Sequence, residues 1–332
     1  MRFPPASCPS MDGIFKKILP RAAEKNGGIR RSFHIAFVCA LAGAAFSCRT
    51  TETGFAVKIK NESNHHPIFS IFVLPEEEIE IEAWHAEAGL EAQAGAGRLV
   101  EVSRNKWKYR APATGLSFIE IGAAWKMRIN VFIMISPAQL EGEYLNDYRI
   151  GAYPEKAANG HRAGSTPAGF IEVTEANQNI QLTPHFQLKQ FLCKQKSGFP
   201  KYLVLRERLL LALEFILQKV NDAGYKVETL AVLSGYRTPF YNDGLENKTF
   251  SRHLYGDAAD IFVDANHDGR MDDLDDDGDV DGSDVKILFD LIDRLSAQED
   301  YKTFLGGLGL YQRTAMHNGF VHIDTRGVKV KW

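Results

Sequence analysis

The chain has 332 residues, of which 45% are hydrophobic and 24% charged, with a formal net charge of −3. That composition excludes wholesale disorder, and the length has room for two domains. The charge is uneven: residues 264–284 hold ten Asp and one Arg, and taking these from the 42 Asp+Glu and 39 Lys+Arg leaves 32 against 38. A mildly basic body suits an anionic polymer. No basic stretch studded with aromatic residues is present, so no nucleic-acid partner is expected.

At the N-terminus Lys16, Lys17, Arg21, Arg30 and Arg31 precede the apolar run "SFHIAFVCALAGAAFSC" at 32–48. The run has the length of a signal-peptide core and falls short of the roughly 20 apolar residues that span a membrane. Its end, "AAFSC", resembles a bacterial lipoprotein cleavage box in which Cys48 becomes the lipidated first residue. Phe46 and the Ala in place of the usual Leu depart from that box, which leaves cleavage by the ordinary signal peptidase as the alternative. The expectation is a signal peptide over 1–48 and an exported protein of the periplasm or cell envelope. Lipid on Cys48 would be its one link to the membrane. Cys8 and Cys39 leave with the signal, and Cys193 remains alone in the mature body. A single thiol makes no intramolecular disulfide and no cysteine metal cluster, so a metal would be held by His and carboxylate.

Residues 54–145 read as strands: "FAVKIKN", "IFSIFVLP", "EIEIEAW", "LVEVS", "KWKYRAP", "LSFIEIG" and "RINVFIMISP" alternate or run apolar between turn residues. Short strands at that spacing predict an all-β sandwich with an accessory role. Its "NHHP" pair, His65 and His66, is expected to be an ordinary surface pair. A connector follows over 146–180, with short strands at "YRIGAYP" and "GFIEVT" around a loop rich in Gly, Ala and polar residues. From 181 the pattern is α+β. "PKYLVLRERLLLALEFILQKVNDAGY" has helical spacing with Gly224 as its stop, and "VETLAVLSGYRTP" is a strand running into a turn. "VKILFDLIDRLSA" is a second amphipathic helix, and "GGLGLY" and "GFVHIDTRG" are closing strands.

Two metal chemistries meet within "SRHLYGDAADIFVDANHDG" at 251–269. Its first half places His253 and Asp260 seven apart with small residues between, and "FVHID" supplies His322 from a strand. Zn2+ takes imidazole and carboxylate readily, and a catalytic site needs three protein ligands and an open position. The wording "SxHxxGxAxD" followed by a strand His resembles the zinc D-Ala-D-Ala carboxypeptidase family, which includes peptidoglycan endopeptidases and shares its fold with the hedgehog signalling domain. The resemblance covers about 180–332, with "HFQLKQFLCK", "SGYRTPFYN", "SRHLYGDAADIF", "GGLGLY" and "FVHIDTRGVKVKW" in order. It implies a hedgehog/D-Ala-D-Ala peptidase-like domain over 181–332, with His253, Asp260 and His322 as zinc ligands. It also implies Arg237 as the arginine that faces substrate, and peptidoglycan peptides as that substrate.

The chain departs from the family at the general base. Phe320 and Gly319 stand where many members carry His, Asp or Glu. His317, five residues before His322, and Asp324, two after it and on the same strand face, are the remaining candidates. If neither serves, the domain is a zinc-containing cell-wall binding module without activity.

The second half of the segment opens a ladder of oxygen ligands. An EF-hand-type loop uses positions 1, 3, 5, 9 and 12 with Gly at 6. One frame reads Asp264, Asn266, Asp268, Gly269, Asp272, Asp275; the next reads Asp273, Asp275, Asp277, Gly278, Asp281, Asp284. Both end in Asp, which resembles the dockerin kind of Ca2+ loop. Because Asp275 is claimed twice, one ion or two remains open. A solvated acidic loop is the plain alternative. A structural Ca2+ in 264–284 would brace the strand that carries Asp260. An adhesion protein that depends on Ca2+ would use these loops but leaves the His/Asp/His set without a role.

Overall fold

The computed structural model describes residues 54–332 apart from 87–88, 155–165, 246–248 and 316. The expected signal peptide, with Cys8, Cys39 and the lipidation candidate Cys48, lies outside the described residues.

The N-terminal half is two sheets laid face to face. One has the order β2 (Glu62–Asn64), β1 (Ala56–Ile59), β4 (Glu78–Trp84), β7 (Lys106–Arg110), β6 (Arg98–Ser103). The other runs β3 (Ile68–Val73), β9 (Lys126–Ile133), β8 (Leu116–Gly122), β5 (Glu91–Ala94). The first sheet has the alternation its sequence advertises. In β4 Ile79, Ile81 and Ala83 are buried between exposed Glu78, Glu80 and Trp84, because side chains on a strand alternate faces.

Strands β3 and β9 pair in parallel; β3 after Ile68 and β9 from Ile129 onward are buried on both faces, while Lys126 and Arg128 of β9 are exposed. Phe69, Ile71 and Val73 enter the sandwich core, while Phe72 and Phe132 belong to the core of the C-terminal half. Between the halves the Ser70 hydroxyl donates to Leu182 O (3.0 Å) and the Asn130 amide to Gln181 O (2.9 Å). The continuous apolar stretches "FSIFV" and "INVFI" therefore describe strand segments with no wet face. The described residues between 54 and 332 form one compact unit with two cores.

The C-terminal half is mixed α+β, mostly sheet with few helices. Short ribbons open it: β10 (Tyr144–Leu145) with β11 (Tyr148–Arg149), β12 (Ile171–Val173) with β15 (Lys201–Leu203), and β13 (Gln181–Thr183) with β14 (Phe186–Gln187). Helix α1 (Glu207–Asp222) buries Leu209, Leu210, Leu213, Ile216, Leu217 and Val220 almost completely. Burial of each such Leu or Ile is worth about 1.5–3 kcal/mol.

The principal sheet has the order β16 (Ala231–Ser234), β17 (Ala258–Phe262), β19 (Phe320–Asp324), β18 (Gly307–Tyr311), β20 (Val330–Lys331). Helix α2 (Pro239–Gly244) follows β16, and α3 (Gly282–Leu295) packs against β18 and β19. All pairs in this sheet are antiparallel except β18 with β20.

Candidate metal centre

The register of the principal sheet sets Asp260 of β17 directly opposite His322 of β19. Opposed residues of an antiparallel pair have Cβ atoms about 4.5–5.5 Å apart on one face, so these two side chains meet. The third comes from the 3-10 turn Arg252–Tyr255, which ends at Gly256 in the left-handed region (φ 68°). A Cβ on Gly256 would lie 2.3 Å from Val204 O, so only glycine lets the turn close against β15's end and swing His253 inward.

His253, Asp260 and His322 are 2%, 2% and 6% exposed. His253 Nε2 is 3.2 Å from both Asp260 Oδ1 and His322 Nδ1, and His322 Nδ1 is 2.9 Å from Asp260 Oδ1. Ligands at about 2.0–2.1 Å from a tetrahedral Zn2+ stand about 3.3 Å from one another, so this triangle is close to the size the ion requires. The three donor atoms could hold a metal ion together.

Each of the three is oriented from behind. His253 Nδ1 donates to Gly235 O (2.6 Å), which leaves the lone pair of Nε2 facing the triangle. His322 Nε2 faces Asp324 Oδ2 (3.4 Å) and donates to it, leaving Nδ1 facing inward. Asp324 in turn accepts from Gly307 N (2.9 Å) and Arg326 Nε (2.8 Å). The outer oxygen of Asp260 takes Arg237 Nη2 (2.6 Å), while Arg237 Nε donates to Ser234 Oγ (2.8 Å). Such outer partners fix the tautomer and the ring angle of metal-binding imidazoles.

Burial alone would raise the Asp260 carboxyl, but His253 and His322 outweigh it and hold it well below the usual carboxylate range. Burial pushes His253 down. For His322 burial also lowers, and the carboxylates of Asp260 and Asp324 reverse the sign. Asp324 is held far down by His322 and Arg326 against its own burial. Two imidazoles and a carboxylate are a donor set that a divalent ion such as Zn2+ accepts.

The triangle opens into a cleft of about 460 Å³ lined by Arg237, Ser251, Tyr311, Phe320, Arg326 and Trp332, among others. Among the described residues lining it, Asp260 is the only carboxylate and His253 and His322 are the only imidazoles. The two candidate bases sit elsewhere. His317 lies edge-on to Phe320 with ring centroids 5.1 Å apart, its Nδ1 2.7 Å from Asn318 O, and it does not line the cleft. Asp324 shares the strand face of His322, as the two-residue period requires, but reaches the imidazole nitrogen that points away from the triangle. Geometry thus puts Asp324 behind the ligand that it holds.

No known family model matches the chain, and no characterised protein matches it.

Among the cleft residues that the sequence did not single out are Tyr311, at the end of β18, and Trp332. Trp332 Nε1 donates to Tyr311 Oη (2.8 Å), and the Trp332 ring lies 5.2 Å from that of His322. The available signal was the spacing of "GGLGLY". A Cβ on Gly309 would lie 2.6 Å from Trp332 Nε1, so the glycine leaves the space that the indole fills.

The acidic segment folds as two copies of one turn. His267 and Gly269 (φ 60° and 78°) recur as Asp276 and Gly278 (φ 59° and 95°). Asp264 accepts from Asp268 N and Gly269 N (both 3.0 Å), and Asp273 accepts from Asp277 N (3.3 Å) and Gly278 N (2.8 Å). Asp273, Asp275 and Asp277 converge as an exposed triad that could bind Ca2+. Asn266 Oδ1 holds Asp268 N (2.8 Å) in the first copy. Asp272 is turned to Ala265 N (2.7 Å), Asp281 caps α3 through Ser283 N (2.7 Å), and buried Asp284 accepts from Leu274 N (2.6 Å) and Asp281 N (2.7 Å). Asp281 and Asp284 thus tie the loops to α3, while Asp272 closes the first loop on itself.

Proposed function

We propose that this chain is an exported Zn2+-dependent peptidase that hydrolyses peptide bonds of peptidoglycan stem or cross-link peptides, as a D-Ala-D-Ala type carboxypeptidase or endopeptidase. The observation that carries this reading is the triangle of inward-facing lone pairs on His253, Asp260 and His322, buried at the floor of an open cleft. Bound there, Zn2+ supplies acidification of a water and polarisation of a carbonyl. The chain's own residues do the rest. Arg237 steadies Asp260 and lines the cleft, where its other N–H groups suit a substrate carboxylate. Asp324 keeps the Nε2 proton of His322 in place. The apolar walls from Phe320 and Trp332 exclude water from a bound peptide.

In the same reading a structural Ca2+ sits on Asp273, Asp275 and Asp277. The segment begins four residues after Asp260, so ordering it braces β17. A second reading, a Zn2+-containing cell-wall binding module without activity, is favoured by one observation: among the described residues lining the cleft there is no second carboxylate or further imidazole to take a proton.

Digestion of purified peptidoglycan by the 49–332 unit, followed by mass analysis of the soluble fragments, separates the two. Zn2+-dependent release that His253→Ala abolishes supports the peptidase and names the bond. Binding to the polymer without release supports the module.

A further inference from the structure

We propose that Tyr311 is a catalytic residue of this cleft, its hydroxyl donating a hydrogen bond to the carbonyl oxygen of the scissile bond as that oxygen gains charge. The inference rests on the peptidase reading above.

Indole N–H is a donor only, so in the 2.8 Å contact between Trp332 Nε1 and Tyr311 Oη the phenol oxygen accepts. The phenol proton must then point elsewhere, and among the described residues no acceptor takes it. Tyr311 lines the metal cleft and is 37% exposed, so its O–H is open to a bound molecule.

The donor is also held still. The Tyr311 ring stacks on Phe320 at a centroid distance of 4.7 Å and an interplanar angle of 10°. Trp332 fixes the oxygen from the other side, seated in the gap above Gly309 and 5.2 Å from the ring of His322. Phe320, which stands where a base is expected from the resemblance, thus serves as the platform for Tyr311. A neutral donor held in place beside a candidate metal triangle can stabilise developing negative charge, because it needs little reorganisation when the charge appears.

The step balances without any further reactant. Water adds its oxygen to the carbonyl carbon, and the C=O π pair moves to the carbonyl oxygen, where the Tyr311 O–H donates without giving up its proton. On collapse the C–N bond breaks. The water's oxygen stays with the new acid, and a proton from that water leaves with the amine.

Tyr311→Phe keeps the stack on Phe320 and removes only the hydroxyl. The expected result is a fall in kcat of about 100- to 1000-fold, the usual effect of deleting one such donor, with KM and Zn2+ affinity unchanged. Trp332→Phe, which removes the N–H that orients the phenol, should lower kcat by a smaller factor. The second readout is calorimetric binding of a phosphinate analogue of the cleaved peptide, a tetrahedral mimic. It should weaken by the same factor as kcat in Tyr311→Phe, while the peptide product binds as before. An active wild type whose Tyr311→Phe variant keeps its kcat, or loses only KM or metal, overturns the assignment alone. A wild type that neither cleaves nor binds the phosphinate overturns the peptidase reading and this inference with it.

Discussion

Replacing Asp324 by Asn tests whether the carboxylate behind His322 is part of the metal centre. The side chain is fully buried and accepts from His322 Nε2, from Gly307 N and from Arg326. Asn has nearly the same shape and keeps one oxygen, enough for Gly307 N. Its NH2 group must face either Arg326 or His322 Nε2–H, donor against donor. The imidazole then loses its anchor, or moves its proton to Nδ1 and blocks the lone pair that faces Asp260 and His253. Outer carboxylates of this kind are worth about 10- to 100-fold in metal affinity, or about 1.4–2.7 kcal/mol. Loss of the charge also leaves Arg326, 28% exposed at its side chain, without its partner. That costs about 1–3 kcal/mol of fold stability. The two effects separate by assay: competition with a chromophoric chelator at pH 7 reads Zn2+ affinity, and thermal melting of metal-free protein reads the fold. Zn2+ affinity within about twofold of wild type would refute the role assigned to Asp324.

Gly309→Ala places a methyl 2.6 Å from Trp332 Nε1; overpacking of this kind costs about 1–3 kcal/mol, read as a lower Tm and altered indole fluorescence with Zn2+ retained. Millimolar Ca2+ should raise the Tm of the wild type by linkage, and a variant with Asp273→Asn and Asp277→Asn should show no rise. His66, at the contact of the two halves, is pushed down to about 4, first by burial. The unfolded chain therefore binds a proton there from about pH 6.5 downward and the folded one only near 4, so stability falls as pH drops through that window. The loss is on the order of 2 kcal/mol once its partial exposure is allowed for. Urea melts of His66→Gln should show a flatter slope over the same range; an unchanged slope would place the pH dependence elsewhere.

How far the sequence reaches depends on whether neighbours in space are neighbours in the chain. Seven of the strands of 54–145 were legible because alternation and apolar runs are local, and "EIEIEAW" shows its buried face letter by letter. Strands β2 and β5 were not, since "ESN" and "EAQA" are short and polar and are recruited by their partners. Two-sided burial of β3 and β9 was hidden for another reason: the residues covering their second face come from Leu182 onward and from α1. His253, Asp260 and His322 were legible as candidates, and the register of β17 with β19 brings them together. Asp324 was on the right face, but only coordinates show which imidazole nitrogen it meets. Tyr311 and Trp332 are 21 residues apart and meet because β20 returns parallel to β18, a pairing that no local pattern encodes.

The most direct test is a stoichiometric titration of metal-free protein with Zn2+ while hydrolysis of a synthetic cross-linked stem peptide is followed. Product release should rise linearly to one equivalent of Zn2+ and then level off, with none in His253→Ala at any ratio. Stoichiometric Zn2+ binding with no product, or hydrolysis that ignores the metal, would contradict the account.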